Sequence, residues 1–160
     1  AWVREKLEAI RASDSPWSEF AFTVHGTMAD PRWLDPSIEP SDRKPGSCYL
    51  GDPKIVNDGP VGLARFCTLR SWLSQWSYDD ARCDAIASGG RISVPVLVVG
   101  NSADDACTPS HTQRLYDAVT HERKHLHVVK GATHYYTGAH GAEHMAEACG
   151  VIENFLTRQW

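Results

Sequence analysis

The stretch Val94-Pro-Val-Leu-Val-Val-Gly100 decides the fold. It is a short, continuous aliphatic and β-branched run closed by a glycine, the pattern of a strand buried on both faces. Asn101-Ser-Ala-Asp104-Asp105-Ala-Cys-Thr-Pro109 follows as a turn carrying two carboxylates. Ser110 and Gln113 have the spacing of a capping box, and Leu115, Ala118 and Val119 give the helix after them an apolar face. His125-Leu-His-Val-Val129 reads as a second strand, and Lys130-Gly-Ala-Thr-His134 leads the chain off its end. Two strands joined by a helix form a right-handed parallel unit. The loops at the carboxyl ends of such strands lie side by side, where open α/β sheets place their chemistry. One loop carries acids and the next a histidine, which suits an Asp–His pair.

Working outward, residues 2–12 form a helix with Val3, Leu7 and Ile10 on one face, ended by Asp14-Ser-Pro16. Phe20-Ala-Phe-Thr-Val24 is a strand leading to His25-Gly26. Residues 27–60 are rich in Pro, Gly, Asp and Ser and follow no regular period. Long irregular segments of this kind inside a domain are usually functional or mobile. Leu63 to Trp76 reads as one helix, because Phe66, Leu69, Trp72, Leu73 and Trp76 recur at three and four. A short helix fits between Tyr78 and Gly90, and a last helix over 142–158, with Met145, Cys149, Ile152 and Leu156 as its buried stripe and Phe155 beside it.

The 160 residues carry a net charge of -4 and a pI near 6.0, so neither nucleic acid nor an anionic membrane is expected as partner. No run is apolar for long enough to span a bilayer, and no signal peptide is visible. The opening Ala1-Trp-Val-Arg-Glu-Lys-Leu lies inside a helix and reads as the start of a cut or processed chain. Five cysteines at irregular spacing, with no Cys-x-x-Cys, are expected as reduced thiols in a cytoplasmic protein.

Val-Pro-Val-Leu-Val-Val-Gly, an acid, Thr-Pro, a helix, an apolar strand and then Gly-Ala-Thr-His resemble the C-terminal part of an α/β-hydrolase. The order of acid and then histidine, about thirty residues apart, fits that family's chain order. The resemblance covers 92–160. It implies an α/β fold that is the C-terminal half of one α/β-hydrolase domain: parallel strands with flanking helices, 27–90 as a cap segment, and 91–160 as the last two strands and helices with the acid and His loops. The implied activity is serine-hydrolase-type hydrolysis of a small ester-like substrate, without cofactor. His134 would move the proton and an Asp would orient it. The Gly-x-Ser-x-Gly nucleophile elbow is not found in this chain, so the Ser would come from the missing N-terminal half of the domain or from another chain. The alternative is a non-catalytic fragment or degenerate hydrolase module used for binding.

Two aspartates compete for the acid's role. Counting back from Arg114-Leu115 on family spacing favours Asp104, the preferred reading, and an Asp-x-x-x-Pro frame ending at Pro109 favours Asp105. The other would be a turn residue bonding its own backbone. His134 sits in a Gly-rich turn, where position alone suits a packed loop histidine equally well. Imidazole titrates near neutrality, which fits it for proton transfer. Tyr135 and Tyr136 are placed to touch a substrate. Trp17, Trp33, Trp72 and Trp76 can line an apolar pocket, although core packing explains most of them more simply.

Gly100-Asn-Ser102-Ala-Asp104 half-matches a nucleophile elbow, and Phe20 to Gly26 imitates the start of an oxyanion loop. A miniature hydrolase built on Ser102 is disfavoured, because an elbow needs a helix directly after its Ser and Thr108-Pro109 intervenes. His121, His125 and His127, and the pair His140 and His144, lack the companion Cys or carboxylate pattern of a metal site and are expected in solvent.

Overall fold

A computed structural model describes residues 1–14, 20–24, 30–35, 37–48, 51–58 and 65–158. The elements run α1 (Trp2–Arg11), β1 (Ala21–Val24), a 3-10 turn (Pro31–Trp33), α2 (Pro53–Asp58), β2 (Arg65–Thr68), α3 (Leu69–Gln75), α4 (Ala85–Gly89), β3 (Val96–Asn101), α5 (Pro109–Ala118), β4 (Lys124–Val129) and α6 (Gly141–Thr157). The class is mixed α/β, with one antiparallel and one parallel strand pair among the described residues. None of the described helices is long and apolar enough to cross a membrane. The chain divides into two compact units, Ala1–Ala29 with Lys54–Asp84, and Asp30–Pro53 with Ala85–Trp160. The residues expected as a single cap, 27–90, are thus shared between the two.

In the first unit α1 forms as its apolar spacing dictates. Val3 and Leu7 are buried with Leu69, and Ile10, Phe22, Trp72 and Leu73 pack around them. β1 pairs antiparallel with β2, from Ala21↔Thr68 to Val24↔Arg65. The single helix expected over Leu63–Trp76 is therefore corrected to a strand followed by a helix. Thr68 is the reason for the boundary. Its hydroxyl accepts from the Ser71 backbone N–H at 3.1 Å, and the Ser71 hydroxyl accepts from the Thr68 N–H at 2.9 Å. This reciprocal cap fixes the first helical residue at Leu69. Before it the chain alternates, Cys67 in and Phe66 out, which is period two rather than 3.6.

In the second unit β3 and β4 pair in parallel, from Val96↔Lys124 to Asn101↔Val129, with α5 between them in the chain. α5 lies close on β3 because Gly100 has no side chain: a Cβ there would come within 2.6 Å of Thr112 Cγ2. The expected Ser110–Gln113 capping box does not form. The helix starts two residues earlier than that box implies, with Pro109, whose missing N–H costs nothing in the first turn. The Ser110 N–H donates instead to Glu39 Oε1 at 2.6 Å, and its hydroxyl donates to Oε2 at 2.7 Å. A distant carboxylate thus takes the place of the local cap.

α6 also turns a different face inward. Gly141 and Ala148 are buried and His144, Val151 and Phe155 half-buried, again at three and four. Met145, Cys149, Ile152 and Leu156, expected as the buried stripe, are exposed. The small face wins because it lets the helix approach the sheet. Ala148 joins Val129 and Ala132 in a core that Val99 and Tyr136 flank. Gly141 passes directly under the Tyr136 carbonyl, which any Cβ would overlap.

Candidate active site

The parallel register of β3 and β4 continues beyond their ends, rung by rung. The Ser102 N–H donates to Val129 O at 3.1 Å and the Ala103 N–H to Ala132 O at 3.0 Å. The Gly131 N–H donates to the Ser102 hydroxyl at 2.7 Å, and the Asn101 amide to Thr133 O at 3.0 Å. The His134 backbone N–H reaches Asp105 Oδ1 at 3.3 Å. The last rung joins side chains: His134 Nδ1 lies 3.1 Å from both carboxylate oxygens of Asp104.

Asp104 is held from behind as well. Its Oδ1 accepts the backbone N–H groups of Ala106 at 2.8 Å and Cys107 at 2.6 Å. Its side chain is only 10% exposed, against 32% for His134. An ionised carboxylate only accepts, so the hydrogen between them belongs to His134 Nδ1, which makes Nε2 the basic nitrogen of the neutral ring. The two aspartates therefore have different work. Asp104 faces the imidazole, and Asp105 secures the backbone that carries it.

The other expected site residues divide likewise. Tyr135 meets the His134 ring edge-on, with centroids 4.7 Å apart, and is largely exposed. Tyr136 turns away into the core beside Val129 and Ala148, with φ at 53°. It is half-buried and packs against that core. Its backbone strain is accommodated by the turn that delivers Gly141. Ser102 does not approach as a nucleophile would: its hydroxyl donates to Asp42 Oδ2 at 2.5 Å while accepting from Gly131. His25 and Gly26 lie outside the described residues, as does Trp17. Trp72 packs in the first unit's core, and Trp33 is buried beneath the Arg43 guanidinium, 5.4 Å from its ring centroid.

A cleft of about 260 Å³ opens on this site, lined by Asn101, Asp104, Cys107, His111 and Leu115 together with His134. Burial, and then the charge of Asp104, push the Cys107 thiol up from its ordinary value. It is therefore a protonated thiol at neutral pH and a poor nucleophile. Among the described residues no group of three or more His, Cys, Asp and Glu is placed to hold a metal ion. His127 Nε2 is instead 2.7 Å from Glu147, and His140 Nδ1 is 3.1 Å from Glu143.

Residues 30–35 and 37–43 form a strap anchored to the same loops, and no sequence signal ties them to the site. Asp30 reaches His111 Nε2 at 3.1 Å, Glu39 caps α5, and Asp42 meets Lys130 Nζ at 2.7 Å as well as Ser102. Arg32 bridges Asp30 at 3.0 Å and Glu39 at 2.8 Å. All three carboxylates titrate below their ordinary range. For Asp42 the causes are the hydrogen bonds from Lys130 and then Ser102. Burial opposes the shift at Glu39 and Asp30. Bonds from Ser110, Thr108 and Arg32 outweigh it at Glu39, and those from Arg32, helped by His111, at Asp30. The sequence shows only four acids, Asp30, Asp35, Glu39 and Asp42, spaced through a Pro- and Ser-rich segment without a regular period.

Compared with protein-family models, curated proteins and solved structures, the chain matches none.

Proposed function

We propose that this chain supplies the acid and the histidine of a Ser–Asp–His hydrolase, arranged as in the C-terminal half of an α/β-hydrolase fold. The observation that carries the reading is the Asp104–His134 pair, set at the ends of two adjacent parallel strands and held by a buried, doubly hydrogen-bonded carboxylate. Asp104 fixes His134 in the Nδ1–H tautomer and stabilises the imidazolium when it forms. Nε2 takes the proton of a serine hydroxyl as the oxygen attacks an ester carbonyl, and returns it to the departing alkoxide. Water then repeats the cycle and releases the acid. The serine comes from the N-terminal half of the same domain or from another chain, since Ser102 is committed to Asp42 and Gly131. The substrate is a small ester or related carbonyl compound, and the exposure of Tyr135 beside His134 supports a contact with it.

The second reading, a binding module with a hydrolase-like scaffold, draws on that same commitment of Ser102. Nitrophenyl-ester hydrolysis by the native protein containing this chain separates the two. His134→Ala should lower kcat/KM by about three orders of magnitude or more, and Asp104→Asn nearly as much. Asp105→Asn should cost far less. Unchanged turnover in His134→Ala would remove the catalytic reading.

A further inference from the structure

We propose that Ser102, held by Asp42, is a positioning residue that sets the register between the acid loop and the His loop. The inference rests on the reading of Asp104 and His134 as a working pair and concerns what keeps them aligned.

The geometry places one hydroxyl at the junction of three segments. Ser102 follows β3 directly, two residues before Asp104. Its oxygen accepts the Gly131 N–H at 2.7 Å, three residues before His134. Its hydrogen goes to Asp42 Oδ2 at 2.5 Å. The backbone adds a further bond, from the Asp42 N–H to Ser102 O at 3.1 Å. Hydroxyls rotate freely unless both roles are filled. Here the carboxylate fixes the O–H direction, which aims a lone pair at Gly131. Gly131 sits at φ 74° in the turn where the strand register ends. Without the hydroxyl the rungs through Ala103 and Asn101 remain, but the rung that joins the strand ends to the loop is lost. The His134 ring would then slide against Asp104 by tenths of an ångström, enough to lengthen two 3.1 Å contacts. The Lys130–Asp42 ion pair contributes little, because the Lys130 side chain is 82% exposed.

The test is nitrogen and proton NMR of the 15N-labelled chain, following the low-field Nδ1–H proton of His134 and the tautomer shown by its two ring nitrogens. Ser102→Ala should raise exchange of that proton with water about tenfold, the scale of losing one charge-assisted hydrogen bond. It should also mix the Nε2–H tautomer into the population. Amide protection in β4 and α6 should stay as it is, a result that general destabilisation would not give. Ser102→Thr, which keeps the hydroxyl, should restore the signal, and Lys130→Ala should leave it unaltered. A folded Ser102→Ala chain with an unchanged His134 signal overturns the proposal. If Ser102→Ala does not fold, Asp42→Ala decides on the same signal, and no change there overturns it. Asp104→Asn keeps the two failures apart. If it leaves the His134 proton untouched, the Asp–His pair itself is absent and the hydrolase reading fails. If it abolishes the proton while Ser102→Ala does not, only the positioning role fails.

Discussion

The clearest perturbation of the fold contrasts the two faces of α6. Ala148 is 3% exposed and packs on Val129 and Ala132, both at 0%. Ala148→Leu forces extra methylenes into that contact, and overpacking of this kind costs about 1–3 kcal/mol. Leu156, on the other face, is 73% exposed. Burying a whole leucine is worth roughly 1.5–3 kcal/mol, so Leu156→Ala forfeits about a quarter of that, roughly 0.4–0.8 kcal/mol. The better helix propensity of Ala reduces the loss further. The larger residue should therefore destabilise and the smaller one hardly matter, the reverse of what the apolar stripe in the sequence suggests. Urea unfolding followed by circular dichroism gives both values, and for a chain of this size each kcal/mol moves the melting temperature by about 2–4 °C. A Leu156→Ala variant less stable than Ala148→Leu would refute the inward face assigned to α6, and with it the support beneath Tyr136 and His134.

Glu39→Ala removes the carboxylate that caps α5, and lost caps typically cost about 0.5–2 kcal/mol. The same urea titration checks it, and a change within error would mean that water replaces the cap. Acid should release the strap. The folded values of Asp30, Glu39 and Asp42 lie below the unfolded ones, so their contribution is complete above the unfolded carboxylate range near about pH 4 and is lost as pH falls through the depressed folded values. Fluorescence of Trp33, buried in this strap, reports the transition, and a midpoint near neutrality would show that other groups hold it. A serine-directed fluorophosphonate should leave Ser102 unlabelled in the isolated chain, and mass spectrometry showing an adduct there would overturn its assignment as a bound, non-nucleophilic hydroxyl.

Where the sequence had a strong local rhythm, its reading and the structure agree. The aliphatic run at Val96–Val99 and the alternation at His125–Val129 are strands in parallel register, and α1 follows its apolar spacing. Asp104 was preferred over Asp105 by spacing, and the geometry separates them by what each carboxylate accepts. The failures have separate causes. Phe66 matched a helical period only because Leu69, Trp72 and Leu73 downstream do, and the Thr68–Ser71 cap that divides them is a smaller signal than five large apolar residues. On α6 the bulkier stripe is the stronger sequence signal, yet close approach to a sheet rewards small residues such as Gly141 and Ala148. The Glu39–Ser110 and Asp42–Ser102 bonds join residues far apart in the chain, and no periodicity encodes a contact of that kind.

The spacing of the site's contacts has a consequence for the order in which the chain assembles. His134 and Asp104 are separated by 30 residues, a span shortened by α5 and drawn together by the pairing of β3 with β4. Ser102 and Asp42 are separated by 60. Doubling a flexible loop adds only about 0.6 kcal/mol of closure entropy, but α5 and the strand pairing stiffen the shorter span and cheapen its closure further. The acid and the histidine should thus meet first, and the strap should arrive at a pair already formed. Pulse-labelled hydrogen exchange during refolding would show it as early protection of the Ala103 amide, which is bonded to Ala132, and later protection of the Asp42 amide, which is bonded to Ser102. Simultaneous protection of the two amides would mean that the strap belongs to the folding nucleus.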